Sequence, residues 1–394
     1  MIRGFFFFVF IFRITADSCS SSEDCEYNGA CISSVCHCAP QWQGPSCGEL
    51  NLLPAPRKGG LHLPNQSTWG GSVIRDPHRE SLYHMFASRI AGTGCDIRAW
   101  SPNSEIVRAT STNPLGPFRV VETVLHSFAH GPTIHQTSDG YLLFHIGCGR
   151  LHGRALQNCS RSGEAELMAA EASVRAKMSS DVQEPCNSDW IAVSHAPSLE
   201  GPWNQVGPLV DASNWTWFGR GVTNPAPLVY ANGSVLLLYR GHRPEKLGAS
   251  LAPRWDGVYH TVGKVPLFQD GDEDPFLWQA ADGIIHGVTH WMGQSSGAGG
   301  GGRHIWSADG LAWRVSNTLA FHTQVTWDDG VVEQVTCRER PQILTDASSG
   351  LPLVLYNGVQ PTGPHLRGST FTMAQEICQV ASCSKAPATL DVWI

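Results

Sequence analysis

Residues 223–241, TNPAPLVYANGSVLLLYRG, contain the local pattern from which the fold of this chain can be predicted. A polar opening that ends in proline leads into one short apolar run, and an Asn-Gly pair precedes a second run. Asn-Gly between two apolar runs predicts a β-hairpin, because both residues tolerate the positive φ of a tight turn. Proline is permitted at the start of a strand, where its missing N–H donor faces away from the neighbouring strand.

The same opening recurs along the rest of the chain. The other copies are WGGS at 69–72, HGPT at 130–133, EDPF at 273–276 and ERPQ at 339–342. Each leads through a turn into a second apolar strand, and several units close with a glycine turn followed by an aromatic residue. Repeats of about four short strands predict propeller blades, so five openings predict an all-β, five-bladed β-propeller over residues 67–394. A β-sandwich with a similar density of strands is the alternative.

The composition and charge of the chain limit which kinds of molecule it is expected to bind. Hydrophobic residues make up 42% of the chain and charged residues only 15%, which excludes a disordered protein. The formal net charge is -7, and no cluster of Lys or Arg stands out. We therefore expect neither a nucleic acid nor an anionic membrane as a partner.

The first residues predict secretion. Residues 1–17 have the features of a signal peptide, with Arg3 before the apolar run 4–12 and small residues near Ala16. That run is far shorter than the roughly 20 residues that cross a bilayer. Glycosylation sequons, which are used in secreted proteins, begin at Asn65, Asn158, Asn214 and Asn232. We therefore expect a secreted, extracellular glycoprotein.

A dense group of cysteines follows the signal segment. The six cysteines are Cys19, Cys25, Cys31, Cys36, Cys38 and Cys47, with the spacing C-x5-C-x5-C-x4-C-x-C-x8-C. Spacing alone leaves fifteen disulfide connectivities open. With Trp42 and Gly44 in register, residues 18–48 resemble an EGF-like module, and this resemblance implies the pairs Cys19–Cys31, Cys25–Cys36 and Cys38–Cys47.

The role of the module has two interpretations, a contact with another extracellular protein or a spacer. The calcium-binding subclass carries an acidic cluster before its first cysteine, whereas this chain has only Asp17 and Ser18 there. We therefore expect no calcium. Residues 49–66 read as a linker. Because so short a module depends on its crosslinks, reduction is expected to unfold it before the propeller.

Seven further cysteines lie in the propeller region, and their pairing is open. Cys378 and Cys383 can close a local loop, and two of Cys148, Cys159 and Cys186 can staple an insertion at 148–187. Cys95 and Cys337 complete the set, and an odd total leaves at least one thiol or a bond to another chain. A stretch at 163–178 within the insertion predicts a short helix. No zinc-binding spacing is visible, so neither a metal nor a cofactor is expected.

From about Trp69 onward, the chain resembles the five-bladed glycosidase propellers, the arabinanase–xylosidase and invertase–levansucrase group. This resemblance rests on the blade count, the blade closures and the short xDP- and ExP-like openings. It implies a base or nucleophile Asp on blade 1, a helper Asp on blade 2 and an acid Glu on blade 3. The matching positions here are Gly71 or Ser72, then His130, then Asn224, and none is a carboxylate.

The carboxylates of this chain lie on the openings of blades 4 and 5 instead. Glycoside hydrolysis needs two carboxyl groups, so the candidate catalytic residues are Asp274, Glu339 and Glu273. Arg340 is expected to keep its neighbour Glu339 ionised, which leaves Asp274 or Glu273 as the acid. Structural roles are the alternatives: a turn cap for Asp274 and an ion pair for Glu339.

The candidate substrate-binding residues are Trp69, His130, Asn224 and Arg340, while Arg240 and His242 are candidates for the pocket rim. His130 has a wall histidine as its structural alternative, and Trp69 can stack on its own blade. Two functions remain. One is a secreted glycoside hydrolase that acts on an oligo- or polysaccharide with atypical carboxylates. The other is a non-catalytic glycan- or protein-binding propeller with an EGF-like contact module.

Overall fold

The structure is a computed structural model that describes residues 18–149, 159, 190–210, 221–241, 245–269, 271–293, 300–364 and 367–383. The predicted signal peptide, the helix at 163–178, Asn158, Asn214, Cys186 and His242 lie outside the described residues. The predicted all-β class is confirmed, because the described residues form 25 strands, one helical turn at Trp100–Asn103 and two 3-10 turns at Ile97–Ala99 and Ala381–Cys383. No helix in these ranges is long and apolar enough to cross a membrane.

The cysteine-rich segment forms two small hairpins. Their strands are β1 (Gly29–Ile32), β2 (Val35–Cys38), β3 (Trp42–Gln43) and β4 (Glu49–Leu50). The disulfides are Cys19–Cys31, Cys25–Cys36 and Cys38–Cys47, which are the pairs that the EGF-like resemblance implies.

Five sheets follow, each an antiparallel meander, and the prediction of a five-bladed propeller is confirmed. Blade 1 comprises β5 (Thr68–Arg75), β6 (Tyr83–Ile90), β7 (Ser104–Ser111) and β8 (Arg119–Leu125). Blade 2 comprises β9 (His130–Thr137), β10 (Gly140–Ile146), β11 (Ile191–Ala196) and β12 (Asn204–Val206). Blade 3 comprises β13 (Val222–Val229), β14 (Val235–Gly241), β15 (Leu247–Ala252) and β16 (His260–Val262).

The last two blades differ in their number of strands. Blade 4 comprises β17 (Asp272–Gln279), β18 (Ile285–Trp291), β19 (Gly302–Ser307) and β20 (Arg314–Phe321). A separate hairpin of β21 (Gln324–Thr326) and β22 (Val332–Gln334) leads into blade 5. Blade 5 has only three named strands among the described residues, β23 (Cys337–Thr345), β24 (Pro352–Gln360) and β25 (Phe371–Glu376).

The segment predicted to be a linker lies along the free edge of blade 5. The backbone N–H of Leu53 donates to the carbonyl of Glu376 at 2.9 Å, and that of Leu61 donates to the carbonyl of Thr372 at 2.8 Å. Residues 51–61 therefore take the place of a fourth strand in blade 5. Since they precede blade 1 in the sequence, they join the beginning of the chain to its last blade.

The apolar runs of the inner strands fill the spaces between blades. On β14, Leu237 and Tyr239 pack against blade 2, whereas Leu236 and Leu238 pack against blade 4. A strand that is buried on both faces is apolar at successive positions rather than at alternate ones. This is why the second strand of each unit reads as a continuous apolar run in the sequence.

The structure describes six of the seven remaining cysteines, and these six divide between disulfides and one thiol. Cys378 pairs with Cys383, as the short spacing allows, whereas Cys159 pairs with Cys95 of blade 1 rather than within the insertion. Cys148 also takes part in a disulfide. Cys337 carries a buried thiol.

Candidate functional site

The five opening motifs share one backbone feature, a bulge in the first strand of each blade. In every blade the pairing with the second strand shifts by one residue across the opening. The second residue of every opening has a positive φ, and these residues are Gly70 (64°), Gly131 (59°), Asn224 (56°), Asp274 (51°) and Arg340 (51°). Positive φ is unfavourable for a residue with a side chain, and such strain persists where the surrounding structure holds it. The three polar residues are thus held in an unusual conformation at corresponding positions.

The Arg340 side chain lies next to the corresponding residues of the other four blades. Its Nε lies 3.2 Å from Asp274 Oδ1, and its Nη2 donates to Asn224 Oδ1 at 3.0 Å. Asn224 Nδ2 in turn donates to Asp274 Oδ1 at 2.5 Å. A Cβ atom at Gly131 would lie 2.5 Å from Arg340 Nη1, and one at Gly70 would lie 3.0 Å from Arg340 Cβ. The glycines of blades 1 and 2 therefore leave the space that Arg340 occupies.

Glu273 is surrounded by cationic side chains from neighbouring strands. His290 Nδ1 lies 3.1 Å from Glu273 Oε1, and Arg240 Nε lies 2.9 Å from Glu273 Oε2, in an ion pair without the alignment of a hydrogen bond. Arg240 also pairs with Glu245 at 2.7 Å. Burial favours the neutral carboxyl group, but the hydrogen bond from His290 and the charge of Arg240 lower the pKa of Glu273 to about 2.

Glu339 has the opposite protonation behaviour, although it belongs to the same cluster. Burial, together with the nearby charges of Glu273 and Asp274, raises the pKa of Glu339 to about 7 against the opposing charge of His290. Burial also raises the pKa of Asp274, although Arg340 counteracts it. Burial opposes the charged form of His290, but the carboxylates around it outweigh this effect and raise its pKa to about 9. His290 is therefore cationic at neutral pH.

The three candidate carboxyl groups meet at one place. Glu273, Asp274, His290 and Glu339 each offer an oxygen or nitrogen atom within 4.8 Å of the others. Such a set can coordinate a cation in principle. Arg340 and Arg240 already neutralise two of the carboxylates, however, and their charges oppose a further cation.

The structure separates the predicted site residues into two groups. Asn224 and Arg340 lie in contact with Asp274, beside the carboxylate cluster. His130 is buried, shares a hydrogen bond of 2.8 Å with Ser104 Oγ and lies beside the ring of Trp100. Burial lowers the pKa of His130 well below the ordinary value, so this histidine is neutral.

Trp69 is also buried. It is only 4% exposed, and a Cβ atom at Gly358 would lie 2.5 Å from its ring. Trp69 therefore packs against blade 5 in this structure and presents no open ring face.

The sequence pattern did not indicate His290 as a site residue, and it predicted that Arg340 lies beside a different carboxylate. The guanidinium of Arg340 lies on Asp274 rather than on its sequence neighbour Glu339. Successive residues of a strand point in opposite directions, so a sequence neighbour is not a spatial partner. Only the pairing of β17 with β18 indicates that His290 belongs to this cluster, because this pairing places Glu273 directly opposite His290.

In each blade the first strand begins at or just before its opening motif, and the far ends of these strands line a cavity of about 600 Å³. Its lining includes Tyr83, His135 and Tyr230. The charged groups of this lining are engaged locally, since Arg75 donates to the Glu80 carbonyl and Asp346 accepts bonds from Ser348.

Comparison with known proteins shows likeness in structure alone. No family model and no curated protein matches the chain. A protein of unknown function from Dyadobacter fermentans is 12% identical, over 83% of this chain and 98% of that chain, with a TM-score of 0.50. At this identity the match shows the fold.

Several of the similar structures are glycosidases. An exo-β-1,3-galactanase from Phanerochaete chrysosporium, solved with β-1,3-galactotriose, is 12% identical over 79% of this chain with a TM-score of 0.47, and this chain spans 60% of its length. An α-L-arabinofuranosidase from Lactobacillus brevis is 10% identical over 78% of this chain and 90% of that chain, with a TM-score of 0.48.

Proposed function

We propose that this protein is a glycoside hydrolase in which Glu339 is the general acid and Glu273 is its ionised partner. One observation carries the proposal: two half-buried carboxyl groups lie within 4.8 Å of each other, and their environments shift their pKa values in opposite directions. Glycosidases need one protonated and one ionised carboxyl group at the same pH.

The two groups have distinct tasks in this mechanism. Protonated Glu339 donates its proton to the glycosidic oxygen as the bond to the leaving sugar breaks. Ionised Glu273 attacks the anomeric carbon from the opposite side of that bond and forms a glycosyl–enzyme ester. Water, deprotonated by Glu339, then hydrolyses this ester, which releases the sugar and restores both carboxyl groups. Retaining glycosidases place their carboxyl groups roughly 5–5.5 Å apart, so the short separation favours retention of stereochemistry.

The remaining polar residues support this pair. His290 donates to Glu273 and stabilises its charge, while Asp274, Asn224 and Arg340 form a fixed polar wall that suits sugar hydroxyls. The roles thus differ from the sequence-based expectation, in which Glu339 was the charged partner. The physical reason is that the Arg340 guanidinium pairs with Asp274, and among the described residues no arginine forms an ion pair with Glu339.

The proposed setting is extracellular. Disulfides are typical of oxidising compartments, and the described residues contain at least five of them. Asn65 and Asn232 are exposed, as glycosylation requires. The proposed substrate is an oligo- or polysaccharide.

The test is to change Glu339→Gln and Glu273→Gln separately and to assay a panel of plant and microbial polysaccharides. Each change is expected to lower turnover by about a hundredfold or more, the usual range for a general acid or base. Glu105→Gln is a matched control, because Glu105 is 12% exposed and paired with Arg89, much as Glu273 is 15% exposed and paired with Arg240. Equal activity of all three variants would remove the proposal.

A second function, glycan binding without hydrolysis, is favoured by the openings of blades 1 and 2. These blades carry Gly70 and Gly131, and Arg340 fills the space beside them. If the unmodified protein binds a glycan from the panel but turns over none, this second function is the better one.

A further inference from the structure

A buried carboxylate of the EGF-like module is bonded to blade 4. Glu26 Oε2 lies 2.8 Å from His304 Nδ1, and Ser316 Oγ donates to Glu26 Oε1 at 2.7 Å. His304 Nε2 lies 3.0 Å from Nδ1 of a second histidine, His286. The carboxylate favours a proton on His304 Nδ1, and the other ring nitrogen shares a hydrogen bond with His286. Glu26 is only 3% exposed and His304 is fully buried.

The backbone at Glu26 shows that this contact is held firmly. Glu26 has a φ of 53° and Tyr27 a φ of 58°. Residues with side chains adopt such values at an energetic cost, and they keep them where neighbouring contacts over-determine the conformation. Ser46 Oγ adds a third hydrogen bond to the Glu26 carboxylate at 2.9 Å.

Close packing surrounds the polar contact. The Trp42 ring centroid lies 4.8 Å from that of His304, and Trp42 belongs to one apolar cluster with Phe276 and Phe321 of blade 4. A Cβ atom at Gly48 would lie 2.4 Å from Ser316 Oγ, so only glycine permits this approach. The two modules therefore share a core.

After this contact with blade 4, the chain continues along blade 5, where it closes the ring of blades. Residues 51–61 pair with β25, the last strand of blade 5. The same stretch of sequence, residues 18–61, thus covers blade 4 and completes blade 5. We call residues 18–61 the clasp.

We infer that the partner of the EGF-like module is the propeller of its own chain, and that the clasp and the propeller unfold as one cooperative unit. The surface that docks is the face around Glu26 and Trp42, and its receptor is the His304 and His286 pair of blade 4. This inference does not depend on the proposed hydrolase function. It differs from the expectation that reduction unfolds the module before the propeller.

The test uses the full chain and two readouts, thermal unfolding and hydrogen exchange resolved by segment. In the unmodified protein we expect one transition, with the clasp and blade 4 exchanging together. Glu26→Ala leaves the His304 N–H buried without an acceptor, and we expect the melting temperature of the whole protein to fall by about 5 °C or more. Glu26→Gln keeps an acceptor at this position and is expected to give a smaller fall.

Glu23→Ala is the matched control. Glu23 lies three residues away in the same module, is 47% exposed and pairs at 3.4 Å with Arg314, which is 71% exposed. We expect no shift for this variant. If Glu26→Ala does not accumulate in folded form, Glu26→Gln takes its place in the comparison. A Glu26 variant that shifts no more than Glu23→Ala, or a module that unfolds in a separate earlier transition while blade 4 stays protected, overturns the inference.

Discussion

The two ends of β18 carry one histidine each, and the two have opposite charge states. Among the described residues, His286 bonds to one other histidine, His304, which in turn contacts the carboxylate of Glu26. Burial and the nearby His304 lower the pKa of His286 well below the ordinary value. His290, four residues on, is buried too, but Glu339, Glu273 and Asp274 outweigh its burial and raise its pKa to about 9. Similar burial thus gives a neutral docking group at one end and a cation at the other, and the number of nearby carboxylates decides which.

The two ends of β18 also differ in what their carboxylates are expected to do, since one end is expected to stabilise the fold and the other to take part in the proposed activity. At the His286 end, the Glu26 carboxylate accepts hydrogen bonds from Ser316 and Ser46 and lies within hydrogen-bond distance of His304. At the His290 end, three carboxylates crowd together, and burial and crowding raise the pKa of Glu339 to about 7, so a large fraction of it is protonated near neutral pH. Arrangements of the second kind destabilise a fold and are retained where reactivity requires them.

The largest expected effect comes from removing one carboxylate at each end. Glu339→Gln should lower turnover by about a hundredfold or more and leave the melting temperature unchanged or raised, because a crowded acid is replaced by a neutral amide. Glu26→Ala should lower the melting temperature and leave kcat/KM of the folded protein unchanged. Steady-state kinetics and thermal unfolding of both variants measure this. Loss of both properties in both variants would contradict the distinction.

The next effect concerns the cation beside the crowded carboxylates. Arg340→Met removes the guanidinium that pairs with buried Asp274 and donates to Asn224, and breaking a buried ion pair in this way costs about 3–5 kcal/mol. Urea unfolding of the full chain measures the change. Arg254→Met is the control, since Arg254 pairs with Asp256 but is 71% exposed, and no change is expected there. A stability equal to that of the unmodified protein would show that Arg340 is dispensable.

A smaller effect is expected in the pH profile of activity. In the proposed mechanism activity requires protonated Glu339, so activity should fall as the pH rises through about 7. His290 lowers the pKa of Glu339, and His290→Asn should therefore move this limb of the kcat/KM profile to higher pH by roughly one unit. His286→Asn should leave the limb in place. Identical profiles for the two variants would contradict the assignment of the acid.

The last prediction needs no substitution, because the two histidines can be titrated directly in the unmodified protein. In NMR spectra of the labelled protein, His290 should lose its proton near pH 9, whereas His286 should stay neutral down to well below pH 6.5. Because the folded pKa of His290 lies above its ordinary value of 6.5, its stabilising contribution is complete below pH 6.5 and is lost as the pH rises through about 9. Two histidines titrating together near 6.5 would contradict the comparison.

Features that depend on near neighbours in the chain could be predicted from the sequence. Asn232-Gly233 predicts a hairpin because its two residues set the turn, and the structure places β13 and β14 on either side of it. The five openings predicted five blades for the same reason, since each blade is built from consecutive hairpins. The carboxylates of blades 4 and 5 could also be found, because the openings occupy equivalent positions in every blade.

Which groups meet, and what charge they carry, depends on the folded chain. His290 lies beside the candidate carboxylates because strand pairing places it opposite Glu273. The Arg340 side chain contacts Asp274 rather than Glu339 because of the bulge at its own position. Glu26 and His304 are 278 residues apart, so no local pattern indicates their contact. The protonation of Glu339 follows from burial and from charges on other strands. Such interactions depend on distances through space, which the chain acquires only when the five blades close into a ring.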